Sequence, residues 1–244
     1  MIFSMQRVFL CLDFVQSPTD MTGKEFEILG RHTSYNVQKV LWFADESGIE
    51  YQHRQIGGRH GGTDSSEFLK LNLNRKVPVL IHDQIVVWES NTILRYLAEF
   101  VDASGVATAA KWYGDSAHQR SLVSRWMDWS IDRLEPAFVG VFWGYYRTPE
   151  SKRNTSAIAD SIEKYENSLG VLSEQLATNE FILGQNISLA DVVAGVFIHR
   201  LYVLDLGISF PDNIQSWYER LTRRQSYEKW VMSDFNELKG RSAY

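Results

Sequence analysis

The chain has 244 residues, of which 44% are hydrophobic and 23% charged, a normal balance for a globular protein with a sizeable core. Its 25 basic and 30 acidic residues give a formal net charge of −5, and no apolar run is long enough to span a membrane, so we expect no nucleic-acid and no membrane partner. The single cysteine, Cys11, cannot form a disulfide within one chain, which favours a reducing compartment such as the cytoplasm and excludes a Cys-x-x-Cys redox centre.

Residues 1–24 form a leader whose composition differs from that of the remaining chain. The leader is fairly apolar up to Gln16 and is then broken by Pro18 and Gly23. Arg7 is its only basic residue before Gln16, and it has no Ala-x-Ala cleavage site, which argues against a secretory signal peptide. We therefore expect either a disordered extension or a start codon placed upstream of a true start at Met21.

The first folded unit is predicted to be a strand, a loop and a helix. The apolar run Phe26 to Leu29 predicts the strand, and the amphipathic run Val37 to Ser47 predicts the helix, which Gly48 closes. Ser34 or Asn36 lies at the helix start. Side chains of this type can cap free backbone N–H groups or face a ligand held over the positive end of the helix. The local pattern leaves both roles open.

A second strand is predicted at residues 49–56, followed by a glycine-rich loop and a short helix from Ser66 to Leu71. The loop, residues 57–62, lacks the Gly-Lys-Ser/Thr ending that a phosphate-binding loop requires, so we interpret it as a plain connection. These elements extend the strand and helix alternation that is typical of a parallel crossover.

Two short apolar runs that flank His82-Asp83-Gln84 predict a β-hairpin, with Pro78 at the start of its first strand. A helix from Thr92 to Phe100 follows, and Ser90 is its predicted N-cap. A parallel first half and an antiparallel second half together predict a mixed four-stranded sheet with helices packed on it.

Residues 104–114 carry Ala, Ser and Gly without periodicity and predict a linker between a domain of residues 25–103 and an all-helical domain of residues 115–244. In the helical domain, Pro136, Gly140 and Gly144 are expected to kink or end the first long helix. A second helix, from Ile158 to Leu176, shows a helical apolar period over five turns.

The third helix, Leu189 to Leu206, is apolar on nearly every face and is predicted to be the buried central helix. Ser188 and Asp191 at its start have the spacing of a capping box. A fourth helix around Ile214 to Leu221 and a fifth from Tyr227 to Leu238 complete the predicted domain.

Four segments in this order resemble the motifs of the cytosolic glutathione transferases, in particular the bacterial theta-like and nu-like members of the serine type. The four segments are Ser34 to Val40, Lys76 to Leu80, Glu89 to Leu97, and Phe181 to Asp191. The resemblance covers about residues 25–240. It implies a thioredoxin-like N-terminal domain with a mixed four-stranded sheet, an all-helical C-terminal domain, a homodimer, a role in detoxification, and glutathione as co-substrate without a metal.

The resemblance also implies that Ser34 is the catalytic hydroxyl. A free thiol has a pKa of about 8.5, and a hydroxyl that donates to sulfur, together with a helix N-terminus, favours the thiolate. Thr33 and Tyr35 are the alternative donors. Asn36 would donate to the thiolate or to the glutathione backbone.

Five further residues are implied to bind glutathione. Glu89 would pair with the ammonium of the γ-glutamyl group, and Ser90 would hold the α-carboxylate at a helix start. Val77 would offer its backbone to the cysteinyl segment if the bond to Pro78 is cis. Lys76 would meet the glycyl carboxylate.

The second substrate is expected to be small, apolar and electrophilic. A group of aromatic residues on the first long helix could form its pocket: Trp126, Trp129, Phe142, Trp143 and Tyr146. The six histidines show no spacing that is typical of a metal site.

Three functions remain open at the level of the sequence. The first is conjugation of the glutathione thiolate to small apolar electrophiles. The second is glutathione-dependent disulfide-bond reduction, as in nu-like members that share the Thr/Ser-x-Asn arrangement of Ser34 and Asn36 and use no protein cysteine. The third is a non-catalytic interaction protein on the same fold, which would be expected to lose its glutathione ligands.

Overall fold

The computed structural model describes residues 26–103 and 112–241. The predictions for residues 1–24 and for most of the predicted linker therefore lie outside the described residues. The described part divides into a sheet with helices, up to Ala103, and a set of helices from Ala117 onward.

The N-terminal part contains a mixed sheet of four strands: β1 (Phe26–Leu29), β2 (Tyr51–Arg54), β3 (Val79–His82) and β4 (Ile85–Trp88). Their order is β2-β1-β3-β4, with β1 parallel to β2, and β3 antiparallel to both β1 and β4. The predicted mixed sheet and its hairpin are confirmed. Asp83 takes a left-handed φ of 55° in the two-residue turn that joins β3 to β4.

Three helices accompany the sheet: α1 (Tyr35–Glu46), α2 (Ser66–Leu71) and α3 (Ser90–Ala103). The prediction that Ser90 caps α3 from outside is wrong, since Ser90 is the first helical residue. Glu89 precedes it with a left-handed φ of 70°, and its carbonyl oxygen accepts the first helical hydrogen bond, from the Ile93 N–H at 2.9 Å. The chain thus turns out of β4 directly into the helix.

Seven α-helices lie in the described residues of the C-terminal part. They are α4 (Ala117–Trp129), α5 (Glu135–Val141), α6 (Thr155–Leu176), α7 (Leu189–Gly195), α8 (His199–Leu204), α9 (Asp212–Thr222) and α10 (Gln225–Trp230). Two π-helical segments, Ser130–Leu134 and Phe142–Arg147, lie before and after α5. With the sheet domain, this arrangement confirms the predicted fold class.

Two π-helical segments interrupt the first long helix, and the second of them contains Gly144 and ends the helix at Arg147. Gly140 and Gly144 also have a role in packing. A Cβ on Gly140 would lie 2.4 Å from Ser161 Oγ, and one on Gly144 would lie 2.9 Å from Ile158 Cγ1. Both glycines therefore permit close packing against α6. Pro136 lies in the first turn of α5, where its missing N–H costs little.

The predicted central helix is buried, as expected, but it is broken into α7 and α8. Its residues from Val192 to Ile198 are buried. The hydroxyl of Tyr165 donates to the carbonyl of Phe197 at 2.8 Å, and that of Tyr227 donates to the carbonyl of Gly195 at 2.9 Å. These side chains satisfy carbonyl groups near the break. The predicted fifth helix also differs, since α10 ends at Trp230 and only a short 3-10 turn covers Asn236–Leu238.

The Asp191 carboxylate connects the start of α7 to its surroundings. Its Oδ2 accepts from the Ser188 N–H at 2.9 Å, as the capping-box spacing predicted, and also from the Ser188 hydroxyl at 2.9 Å. Its Oδ1 accepts from the Ile182 N–H at 2.9 Å and from Trp217 Nε1 at 3.0 Å. Burial raises the pKa of Asp191, and these four donors oppose that shift.

Candidate active site

β1, α1 and the segment before β3 pack closely together at Gly30 and so position the residues of the candidate site. Gly30, directly after β1, has a φ of 152°, and a Cβ there would lie 2.5 Å from Val37 Cγ2 and 3.1 Å from the Val77 Cβ. A side chain at this position would separate α1 from the Val77 segment. Glycine therefore holds the start of α1 beside the bond between Val77 and Pro78, which is cis as the resemblance implied.

Ser34 is the N-cap residue of α1, but its hydroxyl makes no capping hydrogen bond. Its backbone is held by a bond from its N–H to the Arg31 carbonyl at 3.1 Å and by one from the Gln38 N–H to its own carbonyl at 2.8 Å. Within the described residues the Ser34 hydroxyl has no hydrogen-bond partner, and it lines a cavity of about 670 Å3. The side chain is therefore available to a ligand.

The two neighbouring hydroxyl groups are already engaged. Thr33 is buried and donates to Glu237 Oε1 at 2.5 Å. Tyr35 donates to Glu135 Oε1 at 2.8 Å, and burial, together with the charge of Glu135 and this hydrogen bond, raises the pKa of Tyr35 above its usual value. Neither hydroxyl is as free to donate to a ligand as that of Ser34.

Two adjoining cavities lie at this site. The first has a volume of about 480 Å3 and is here called the acidic cavity, because its lining contains Glu89, Asp128, Asp132 and Glu135. All of the residues that the sequence predicted to bind glutathione also line it. These are Asn36, Lys76, Val77, Pro78, Glu89 and Ser90. The structure thus brings together residues that lie up to 54 positions apart in the chain.

The second cavity, which contains Ser34, is here called the basic cavity and is defined by Arg31, Arg147 and Arg200 in its lining. It shares four residues with the acidic cavity: Asn36, Lys76, Val77 and Glu135. Ser34 itself lines only the basic cavity. The shared wall therefore lies between the Ser34 hydroxyl and the side chains of Glu89 and Ser90.

A chain of hydrogen bonds runs beneath the shared wall. Lys39 Nζ donates to Ser90 Oγ at 3.2 Å, and Ser90 Oγ donates to Asn36 Oδ1 at 3.1 Å. Lys39 is fully buried, with its Nζ 5.3 Å from the ring centre of Phe197. Burial lowers the pKa of Lys39 to about 8, although the charges of Glu135 and Glu89 oppose that shift.

Sequence reasoning missed Lys39, Glu135 and Arg200. A lysine inside the apolar run of α1 was the available signal for Lys39, since a lysine is rarely buried without a partner. Arg200 on α8 donates through Nη2 to the Thr33 carbonyl at 2.8 Å and to Gln38 Oε1 at 3.3 Å. It therefore braces the loop that carries Ser34.

The predicted aromatic group divides between cavity and core. Phe142 and Trp143 line the basic cavity. Trp126 and Trp129 line neither cavity and contact each other, with ring centres 5.0 Å apart. Tyr146 stacks on Phe142 with ring centres 5.3 Å apart and also lies outside both linings. Only two of the five residues can therefore face a ligand in these cavities.

Residues 26–103 and 112–241 contain no group of three or more His, Cys, Asp or Glu side chains suited to hold a metal ion. Over the same residues, no helix combines the length and apolar character that crossing a bilayer requires.

The fold and the site define a class: a thioredoxin-like domain with a cis-proline segment beside a helix start, followed by an all-helical domain. Comparison with known families agrees. The family model of the glutathione S-transferase N-terminal domain matches residues 24–99, and that of the glutathione S-transferase C-terminal domain matches residues 155–220. The chain belongs to the glutathione S-transferase family.

Individual relatives support the same assignment. Glutathione S-transferase GstB of Escherichia coli strain K12 is 33% identical over 205 residues, which are 83% of this chain and 96% of the relative. The crystal structure of the theta class glutathione S-transferase from Xanthomonas axonopodis pv. citri with glutathione bound has a TM-score of 0.77 at 34% identity, covering 86% of this chain and 98% of that chain. Disulfide-bond oxidoreductase YfcG of Escherichia coli strain K12 is 22% identical over 200 residues, 78% of this chain and 86% of that protein.

Proposed function

We propose that this protein is a glutathione transferase in which Ser34 stabilises the thiolate of glutathione for attack on a small electrophile. The observation that carries the proposal is the unengaged Ser34 hydroxyl at the start of α1, beside the wall that the two cavities share. The relatives support it, since one is named a glutathione S-transferase and the structure of another was solved with glutathione bound.

Glutathione spans the shared wall in this proposal, with its γ-glutamyl end in the acidic cavity. Glu89 pairs with the ammonium group, and the N–H groups at the start of α3 bind the α-carboxylate. The Ser90 hydroxyl turns its proton from Asn36 Oδ1 to this carboxylate when glutathione binds. The backbone of Val77, before Pro78, pairs with the cysteinyl segment as an added strand. Lys76, which is exposed and lines both cavities, meets the glycyl carboxylate.

The thiol then lies at the start of α1, in reach of Ser34 and Asn36. A hydroxyl that donates to sulfur stabilises the thiolate more than the thiol, and the positive end of α1 adds to this, so the thiol pKa falls below about 8.5. In the reaction, a sulfur–carbon bond forms to the electrophile and the leaving group departs with the bonding electron pair. The thiol proton is released to solvent.

Substitution of Ser34 tests the proposal directly. Ser34→Ala should lower kcat/KM about 100-fold, the usual consequence of losing one donor to a developing or bound anion. It should also raise the pKa of bound glutathione, followed by the ultraviolet absorbance of the thiolate. Ser34→Thr is the matched control, because it keeps a hydroxyl. The assignment fails if Ser34→Ala leaves both quantities unchanged.

Disulfide-bond reduction is the second candidate. The Ser34-x-Asn36 arrangement and the similarity to a disulfide-bond oxidoreductase favour it. In this reaction the thiolate attacks one sulfur of a disulfide, the sulfur–sulfur bond breaks, and the other sulfur leaves as a thiolate. A second glutathione thiolate then attacks the glutathione sulfur of the mixed disulfide, which releases the second thiol and forms glutathione disulfide. Rates with a glutathionyl disulfide and with a chlorinated arene, measured on one preparation, separate the two reactions. Failure of the protein to bind immobilised glutathione would favour a non-catalytic role instead.

We further infer a homodimer in the cytoplasm. Strand β4 forms an edge of the sheet and exposes Ile85, Val86 and Trp88, an apolar surface that a second copy could cover. The single cysteine suits a reducing compartment. A monomer in sedimentation at micromolar concentration would refute the dimer.

A further inference from the structure

We propose that the second substrate carries an anionic group of the carboxylate or sulfonate class next to an aromatic or apolar body, and that Arg147 and Arg200 bind this group in the basic cavity. The inference rests on the proposed function and specifies its acceptor substrate. It revises the expectation, drawn from the sequence, of a purely apolar acceptor.

Arg200 is the first reason. Its side chain is 2% exposed and lines the basic cavity. Its Nη2 donates only to neutral oxygens, those of the Thr33 carbonyl and the Gln38 amide, and its Nε has no partner among the described residues. Burial, with the positive charges of Arg31 and Arg147, lowers the pKa of Arg200 to about 10, so it remains a cation at neutral pH. A buried cation with neutral partners favours an anionic ligand.

Arg147 adds a platform of the right shape. It belongs to the π-helical segment after α5, is 3% exposed, and donates through Nε to the Arg241 carbonyl at 2.8 Å. Its guanidinium carbon lies 3.8 Å from the ring centre of Trp143, which is 37% exposed. A guanidinium beside an exposed indole can receive a carboxylate while the ring receives an aromatic body.

The acidic residues near the basic cavity have partners of their own. Asp64 pairs with Arg75 at 3.2 Å, and Glu135 accepts from the Tyr35 hydroxyl. Glu237 accepts from Thr33 and pairs with Arg59 at 2.9 Å. These contacts direct each carboxylate toward a partner other than Arg200.

The carboxylates of glutathione do not account for these arginines. In the proposed pose they meet Ser90 and Lys76, which both line the acidic cavity, whereas Arg147 and Arg200 line only the basic cavity. The anionic group is also not consumed in the reaction. For a chloroarene acceptor, the sulfur–carbon bond forms, the carbon–chlorine bond breaks, chloride leaves, and the substituent stays charged throughout.

Binding of matched glutathione conjugates tests the inference without requiring turnover. We expect S-(4-carboxybenzyl)glutathione to bind at least about tenfold more tightly than its methyl ester, since a charge-assisted hydrogen bond in a buried site is worth about that factor. The advantage should change little as salt is added, because salt screens a buried pair of charges much less than an exposed one. In Arg147→Gln it should largely disappear, whereas Arg147→Lys should retain part of it. Arg223→Gln, at a side chain that is 77% exposed on the far end of α9, is the control and should leave the advantage intact.

Two results would contradict the inference in different ways. Equal binding of acid and ester, with S-benzylglutathione also bound, would overturn the anionic acceptor and leave the proposed function standing. Failure of all three conjugates to bind would overturn the proposed function and the inference with it. If circular dichroism shows that Arg147→Gln is unfolded, the comparison of acid and ester binding to the unaltered protein still tests whether the acceptor is anionic.

Discussion

The acidic and the basic cavity share one wall but differ in charge. The acidic cavity joins the segment before β3 and the start of α3, with Glu89, to Asp128 and Asp132 of the helical domain. The basic cavity combines the loop after β1 with residues of the helical domain, among them Arg147 and Arg200. One cavity suits a ligand end that carries an ammonium group, and the other suits an anion. In the proposed binding pose, the co-substrate and the acceptor are therefore recognised in different cavities.

The shared wall makes this separation useful for chemistry. Asn36 and Val77 line both cavities, and Ser34 lies on the basic side. A thiol held at this wall has its peptide body toward the acids and its sulfur toward the basic cavity. The nearby arginines would also favour a thiolate over a thiol.

Separating α1 from the Val77 segment should have the largest effect, because both elements contribute to the wall that the two cavities share. In Gly30→Ala the new methyl group would lie 2.5 Å from Val37 Cγ2, at a φ of 152° that side chains rarely adopt. We expect a loss of about 2–4 kcal/mol in the free energy of unfolding, from overpacking and backbone strain together. Glutathione affinity should fall at least about tenfold, because α1 and the Val77 segment must move apart. Chemical denaturation and calorimetry measure the two effects.

Gly184→Ala is the matched control for Gly30→Ala. Gly184 also has a left-handed φ, of 127°, but a Cβ there meets no atom within 4 Å. It should lose stability through strain alone and bind glutathione as the unaltered protein does. If Gly30→Ala binds glutathione normally, the close packing at Gly30 is not what positions the site.

Removing the charge of Glu89 should affect the acidic cavity alone. Glu89→Gln is expected to raise the KM for glutathione about tenfold, which is the cost of one charge-assisted hydrogen bond at an exposed side chain. The preference between charged and neutral acceptors should not change. Steady-state kinetics with both substrates varied provides both quantities.

Glu163→Gln, at an exposed position on α6, is the control for charge alone and should leave the KM for glutathione unchanged. If Glu89→Gln changed the preference between charged and neutral acceptors as strongly as it changed the KM for glutathione, the two cavities would not be separate recognition sites.

The residues that the sheet domain contributes to the two cavities were largely predictable from the sequence, whereas the acids and arginines that the helical domain contributes were not. Ser34, Val77-Pro78 and Glu89-Ser90 belong to short motifs whose turns and helix starts are set by neighbouring residues. The sheet followed from apolar runs and from the hairpin turn for the same reason. The predicted N-cap of α3 was nevertheless wrong, because Glu89 adopts a left-handed φ and Ser90 is the first residue of the helix.

Contacts over long distances in sequence explain what could not be predicted. Arg200 donates to the carbonyl of Thr33, 167 residues away, and no periodic pattern encodes that contact. The break between α7 and α8 accompanies hydroxyl groups that Tyr165 and Tyr227 supply from α6 and α10. The uniform apolar character of residues 192–198 predicted burial correctly but carried no information about this break.

The smallest expected effect on binding concerns Lys39, which lies beneath the acidic side of the wall. Its pKa in the folded protein is about 8, below the ordinary 10.5, so between these values the unfolded chain binds more protons. The free energy of unfolding should therefore rise with pH from about 8 to 10.5, and Lys39→Met should remove up to about 3 kcal/mol of that rise. At pH 7 the variant should be at least as stable as the unaltered protein, because a buried cation is gone.

The same variant should bind glutathione roughly fivefold more weakly, since Ser90 loses the donor that orients its hydroxyl, a hydrogen bond worth about 1 kcal/mol. Denaturation curves from pH 7 to 10.5 and calorimetry at pH 7 measure both changes, with Lys164→Met, on the exposed face of α6, as the control. A variant that kept the full pH dependence would show that Lys39 does not titrate in this range. A more stable protein that binds its co-substrate less well would indicate that the buried charge is retained for binding at the cost of stability.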